Sequence, residues 1–240
     1  KAIRLAGTNS ATTVAKARLG QARSSWKQGS LAEAREALDL FLADPKMSKM
    51  SIAADANLML VEIASAQGRT EKDATMRTKC FNAAIGALKK VRQYWSKKPQ
   101  WEQDQLDLLS GDVLVDRMKA EDAMGLKDEA QETCERAASV FQMFIASHGV
   151  DEAHPLDKMD PGAVANLERA YETMIPLLAR CGAKQAERTV RSGQEYLDLF
   201  PNGKARTTVA NCMNQAKADL PASSGKPAEA KPEGEGEVKE

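Results

Sequence analysis

Aromatic residues are scarce, 5% of the 240 positions. No charge of one sign dominates either, because 34 Lys and Arg face 34 Asp and Glu. That balance argues against a globally basic nucleic-acid binder and against a strongly acidic solvating chain. Apolar runs are short, and none approaches the roughly 20 residues of a membrane-spanning helix. The four cysteines, Cys80, Cys134, Cys181 and Cys212, contain no CxxC pair, so zinc ribbons and thioredoxin-like redox centres are unsupported. Widely spaced thiols of this kind read as small buried apolar groups, with an even count that leaves a Cys181–Cys212 disulfide open. There is no phosphate-gripping glycine loop, no HExxH and no Ser, His, Asp order. The chain begins at Lys1 with no signal-peptide pattern, which leaves room for a leader or anchor already removed.

What the chain has instead is Ala, Leu, Glu, Lys, Gln, Arg and Met, residues that lose little rotamer freedom in a helix. Their apolar members recur at helical spacing. Ala15, Leu19, Ala22 and Trp26 form one stripe, Gly29 follows, and Leu31, Ala34, Leu38, Phe41 and Leu42 form the next before Asp44-Pro45 stops it. The unit returns as Ile52, Ala56, Met59, Ile63 and Ala66 before Gly68, then Phe81, Ile85, Leu88, Val91 and Trp95 before Pro99. A third runs from Trp101 to Met124, turns at Gly125, and continues through Leu126, Ala130, Cys134, Ala137, Phe141, Phe144 and Ile145. The fourth opens at Asp160-Pro161, a capping residue ahead of a proline. It runs through Val164, Leu167, Tyr171, Met174 and Leu178 to Gly182, then Ala186, Val190, Leu197 and Phe200. A last helix carries Val209, Met213, Ala216 and Leu220. Pro176 should kink the helix that contains it.

The turn glycines are unevenly spaced: Gly29 to Gly68 is 39 positions (68 − 29), the next two intervals are 57 each. Residues 1–13 read as a flexible lead-in, 14–220 as the helical array, and 221–240 as a disordered Pro/Glu/Lys/Gly tail that cannot bury enough apolar area to offset its ordering entropy. A helix pair with one apolar stripe must stack on another to hide it.

On these residues the chain resembles the tetratricopeptide repeat. Gly29, Ala34 and Phe41 fit that family's turn glycine and its small or apolar residues five and twelve positions on, as do Gly125, Ala130 and Ala137. Ala74 and Ala186 sit one position off, and the family's first-helix Trp, Gly and Tyr are mostly absent. The resemblance implies an all-α, right-handed solenoid of about four antiparallel helix pairs plus a C-terminal capping helix. It implies a non-enzymatic scaffold or adaptor without a cofactor, binding another protein or peptide in a concave groove. The stretches "YLDLFPNGKARTTVANCMNQAKADL" and "FLADPKMSKMSIAADANLML" are also loosely similar to bacterial envelope repeat proteins, which implies the periplasm or cell envelope rather than the cytoplasm. A helix bundle, and a structural protein that stacks on copies of itself, are the alternatives.

In the tetratricopeptide arrangement the first helix of each pair lines the groove. Counting thirteen positions back from each glycine gives Lys16, Asp55, Asp112 and Arg169, and six back gives Arg23, Glu62, Lys119 and Pro176. Such rows of alternating sign would suit a mixed-charge peptide or partner helix, or serve as an ordinary solvated face. Two further clusters stand out. In "ALKKVRQYWSKKPQW", Lys89, Lys90, Arg92, Lys97 and Lys98 alternate with Tyr94, Trp95 and Trp101, a mixture that could bind nucleic acid; the helix C-terminus accounts for it more simply, and no nucleic-acid partner is expected. In "SHGVDEAHPLDKMDPG", His148, Asp151, Glu152, His154, Asp157 and Asp160 offer metal-ligand types in a spacing that fits no known ligand pattern, so a solvated loop is expected.

Overall fold

The computed structural model describes residues 11–150 and 155–220. Among these, nine α-helices form and no strand does. They are α1 (Ala11–Lys27), α2 (Leu31–Ala43), α3 (Ile52–Thr70), α4 (Ala74–Tyr94), α5 (Gln100–Ala123), α6 (Lys127–Ser147), α7 (Pro161–Arg180), α8 (Ala186–Leu199) and α9 (Arg206–Asp219). The array thus starts at Ala11, slightly before the boundary expected from the apolar pattern. Residues 1–10 and the tail from 221 lie outside the described residues.

Three of the four expected turn glycines carry positive φ: Gly29 at 81°, Gly125 at 76° and Gly182 at 77°. That region favours glycine because a Cβ there crowds the backbone. At Gly29 the chain reverses through paired bonds, Gly29 N–H to the Trp26 carbonyl and Ser30 N–H to the Ser25 carbonyl, both 2.9 Å. Gly125 and Leu126 repeat this with Asp122 and Glu121. These are Schellman closures, which satisfy the last carbonyls of a helix.

Gly68 is different. The expected turn there does not occur: α3 continues to Thr70, and the reversal is made by Glu71, Lys72 and Asp73. Asp73 caps α4 by accepting the Met76 N–H at 2.8 Å. Gly68 is buried under Phe81, and a Cβ on it would lie 2.7 Å from that ring. Glycine is there for close helix packing, not for a turn. Asp160 caps α7 as expected, accepting the Gly162 N–H at 2.7 Å with Pro161 at the first helical position, and α7 continues through Pro176 to Arg180.

Each helix packs on its neighbours in sequence, and the odd-numbered helices also pack on one another: α1 on α3, α3 on α5, α5 on α7, and α7 on α9. The even-numbered helices make no comparable contacts among themselves in the described residues. The interior forms two apolar clusters that meet at α5. Leu106, Val113 and Ala120, seven positions apart, join the first with Leu38, Phe41, Ile63, Phe81 and Leu88. Leu108, Leu114 and Met118 on another side of α5 join the second with Phe141, Leu167, Met174 and Tyr196. Because α5 buries two sides, no single apolar stripe marks it in the sequence. Each fully buried Leu or Phe in these clusters contributes about 1.5–3 kcal/mol.

Candidate functional site

A depression of about 420 Å³ lies where α1, α3 and α5 adjoin. It is lined by Trp26 of α1, by Glu62, Ser65 and Arg69 of α3, and by Asp112 and Asp116 of α5. Glu62 is exposed and forms no ion pair among the described residues, whereas Asp112 is half-buried. The Ser65 hydroxyl oxygen is buried and has no hydrogen-bond partner among the described residues.

Of the seven charged residues expected to line a groove, Glu62 and Asp112 share this depression. Asp112 is also in direct contact with Arg169, whose guanidinium reaches it from α7. Lys16 and Arg23 are exposed on α1, Asp55 on α3 and Lys119 on α5, outside the lining of this depression. Pro176 is half-buried within α7. The Asp55 and Glu62 positions were counted from Gly68; with the turn displaced past Thr70, they sit further from the true reversal than their counterparts do.

Electrostatically the depression leans negative. Glu62, Asp112 and Asp116 face one lining cation, Arg69, which is bound to Asp116 at 2.5 Å. Burial pushes the Asp112 carboxyl above its ordinary 3.8, and the nearby Asp116 charge adds to this, against the pull of Arg169 and Lys119. Taking a carboxylate out of water disfavours its ionised form unless cations compensate it.

Sequence reasoning missed a wider pattern. All five aspartates of α5 are paired with a basic side chain from elsewhere in the chain: Asp104 with His148, Asp107 with Arg92, Asp112 with Arg169, Asp116 with Arg69 and Asp122 with Arg180. α5 is therefore joined electrostatically to α3, α4 and α7 and to the end of α6. Periodicity alone shows these aspartates only as polar positions on a helix; their partners lie far away in sequence.

In the stretch expected to be a solvated loop, His148 is tied to the body of the fold. His148 Nε2 lies 2.9 Å from Asp104 Oδ2, and its ring stacks on Phe144 with centroids 4.3 Å apart. Its Nδ1 lies 2.9 Å from both the Phe144 carbonyl and the Ser147 hydroxyl. Ser147, His148 and Asp104 thus adjoin, yet the Ser147 hydroxyl also donates to the Phe144 carbonyl at 2.9 Å. The trio closes the C-terminus of α6 onto the buried Asp104, which Gln100 Nε2 also reaches at 2.7 Å. Asp160 is occupied as a cap and Asp157 is exposed; Asp151, Glu152 and His154 lie outside the described residues. Among the described residues no group of three or more His, Cys, Asp or Glu is placed to hold a metal.

In the basic-aromatic stretch, Lys89, Lys90 and Lys97 are exposed, while Arg92 pairs with Asp107 at 2.5 Å and Lys98 with Glu102 at 2.9 Å. The aromatic rings are engaged in packing. Tyr94 donates to the Ser48 carbonyl, Trp95 packs against the first core and receives Lys98 at 5.8 Å, and a Cβ on Gly162 would meet the Trp101 ring at 2.7 Å. The bases of a nucleic acid would have to compete with these contacts.

On the even-numbered side, two open depressions of about 1030 and 520 Å³ share Ala32, Arg35 and Gln67. Arg35 donates to Gln67 Oε1 at 3.0 Å between them. Exposed Met76 lines one and exposed Leu40 the other. The Cys181–Cys212 pairing left open by the sequence is not what the fold provides: Cys181 faces Cys134, with the sulfurs 3.3 Å apart. No helix of the described residues is long and apolar enough to cross a membrane. Compared with known protein families and with curated proteins, the chain matches none.

Proposed function

We propose that the chain is a non-enzymatic scaffold, a right-handed tetratricopeptide-like array of four helix pairs capped by α9, that binds a segment of another protein on its odd-helix face. The packing of odd helices on odd helices supports this reading, because it would crowd the first helix of each pair onto an inner rim and leave the even helices splayed outside. The observation that carries it is the depression at Trp26, Glu62 and Asp112, where carboxylates outnumber cations. A Lys or Arg of a bound segment fits there, over the face of Trp26 and beside Glu62. Lys16, Arg23, Asp55 and Lys119, all exposed and free of ion pairs among the described residues, extend the face for a segment of mixed charge.

Fluorescence anisotropy of labelled amphipathic peptides against the full chain tests this. A basic peptide should bind more tightly than an acidic one of equal length, and weaken as salt is added. Equal binding of both, or affinity indifferent to salt, would set the reading aside.

A second reading has its own support. Leu40 at 62% and Met143 at 65% exposure lie on α2 and α6, and a protein that stacks on its own copies would cover such residues. A sedimentation coefficient that rises with concentration would favour it.

A further inference from the structure

We propose that Cys134 and Cys181 are a modification site: a dithiol that closes into an intramolecular disulfide on meeting a low-molecular-weight disulfide such as oxidised glutathione.

The two residues are 47 positions apart, Cys134 within α6 and Cys181 at the cap of α7. The Cys181 thiol donates to the Cys134 sulfur at 3.3 Å, and the Cys134 thiol is 3.4 Å from the Leu177 carbonyl. A disulfide bond is about 2.05 Å long, so the sulfurs are already in contact and need approach by little more than about 1 Å. Both thiols are free. No other cysteine–cysteine contact occurs among the described residues: Cys80 lies on α4 near Arg35, and Cys212 lies half-buried on α9.

Accessibility orders the steps. Cys134 is fully buried, whereas Cys181 keeps 8% exposure where the chain turns at Gly182. The hydrogen bond it gives to Cys134, and burial, hold the Cys181 thiol above its ordinary range, so its proton passes along that bond to the Cys134 sulfur as the Cys181 sulfur attacks the external disulfide. A mixed disulfide forms and one thiolate is released, which takes the proton back from Cys134. The Cys134 thiolate then attacks the Cys181 sulfur and expels the second. Overall, two protein thiols and one external disulfide become one protein disulfide and two external thiols, with the two protons carried on the released thiols. The hydrogen bond from Cys181 holds the Cys134 thiol below its ordinary range, and the Arg180 charge acts in the same direction, against burial. The thiolate, the reacting form, is thereby favoured at the sulfur that closes the bond. The product would tie α6 to α7 beside the Arg180–Asp122 ion pair, which joins α7 to α5.

The test treats native full-length protein with excess oxidised glutathione, quenches with acid, alkylates the remaining thiols, and reads intact mass and proteolytic peptides. The expected result is two alkylated cysteines instead of four, and one cross-linked peptide joining Cys134 to Cys181. The melting midpoint should also rise by about 5 °C or more, since closing a loop of this length restricts the unfolded chain. Four alkylated cysteines, a stable glutathione adduct, or a link through Cys80 or Cys212 would each overturn the proposal.

Discussion

The guanidinium of Arg169 on α7 is held against the carboxylate of Asp112 on α5, across 57 positions of chain. Each stands the same distance ahead of a positive-φ glycine, Gly125 or Gly182. The contact therefore joins equivalent points of two helix pairs. It also uses an internal partner to offset a carboxylate on the face where an external one is proposed to dock.

The Asp112–Arg169 pair predicts a particular pH dependence. Because burial raises the Asp112 carboxyl above 3.8, the folded chain holds that proton more tightly than the unfolded chain does. Its contribution to stability is complete below 3.8 and is lost as pH rises through the raised value. In urea unfolding, Asp112→Asn should therefore gain stability relative to the parent as pH is raised from that range toward neutral. The gain should stay under about 1 kcal/mol, since both side chains keep over a third of their surface in water. Arg169→Gln should push the Asp112 carboxyl higher still, measured by its carboxyl-carbon NMR shift against pH. A midpoint that falls instead would contradict the assignment.

Two kinds of helical glycine should respond oppositely to alanine. A Cβ on Gly111 would lie 2.5 Å from the fully buried Phe141 ring. Gly111→Ala should cost about 1–3 kcal/mol through overpacking, as should Gly68→Ala beneath Phe81. Gly86 on α4 has nothing within 4 Å of such a Cβ, so Gly86→Ala should stabilise by roughly 0.5–1 kcal/mol. Thermal or urea unfolding of the three variants checks the ordering.

Gly68 also shows where reading the sequence stops. Gly29, Gly125 and Gly182 follow apolar stripes and do reverse the chain, so the helix order was legible from them. Gly68 follows a stripe just as well, but Phe81 needs the missing side chain there, and a one-dimensional pattern cannot tell a packing glycine from a turning one. The better signal was Asp73, an N-capping type just before Ala74. At the site, the tetratricopeptide resemblance, counted back from Gly68 and Gly125, singled out Glu62 and Asp112, and both line one depression. It could not reveal the partners of the α5 aspartates, or that Cys181 meets Cys134, because those contacts depend on how the helices stack. The His148 contact was hidden for a related reason: its imidazole pairs with an aspartate 44 positions earlier (148 − 104).

The Asp104 clamp predicts unequal losses. Asp104 is 3% exposed and accepts from both Gln100 and His148. Asp104→Ala strands those two donors and should cost about 1–3 kcal/mol in urea unfolding. Ser147→Ala, at an exposed helix end, should change stability by less than about 0.5 kcal/mol. Equal losses would mean that the trio acts as one unit rather than as a clamp centred on Asp104.

The proposal of a docking face is tested most directly by capture from native lysate, with the tagged full chain and its Glu62→Lys variant side by side, read by mass spectrometry. Glu62 is exposed and unpaired among the described residues, so the reversal should leave circular dichroism and the melting midpoint unchanged while cancelling the net negative charge of the depression, whose charged lining becomes two carboxylates and two cations. The expected result is a stoichiometric partner on the parent that is recovered at least about tenfold less on the variant, a difference of about 1.4 kcal/mol. Equal recovery of that partner on both chains, or recovery of nothing but further copies of the chain itself, would contradict it.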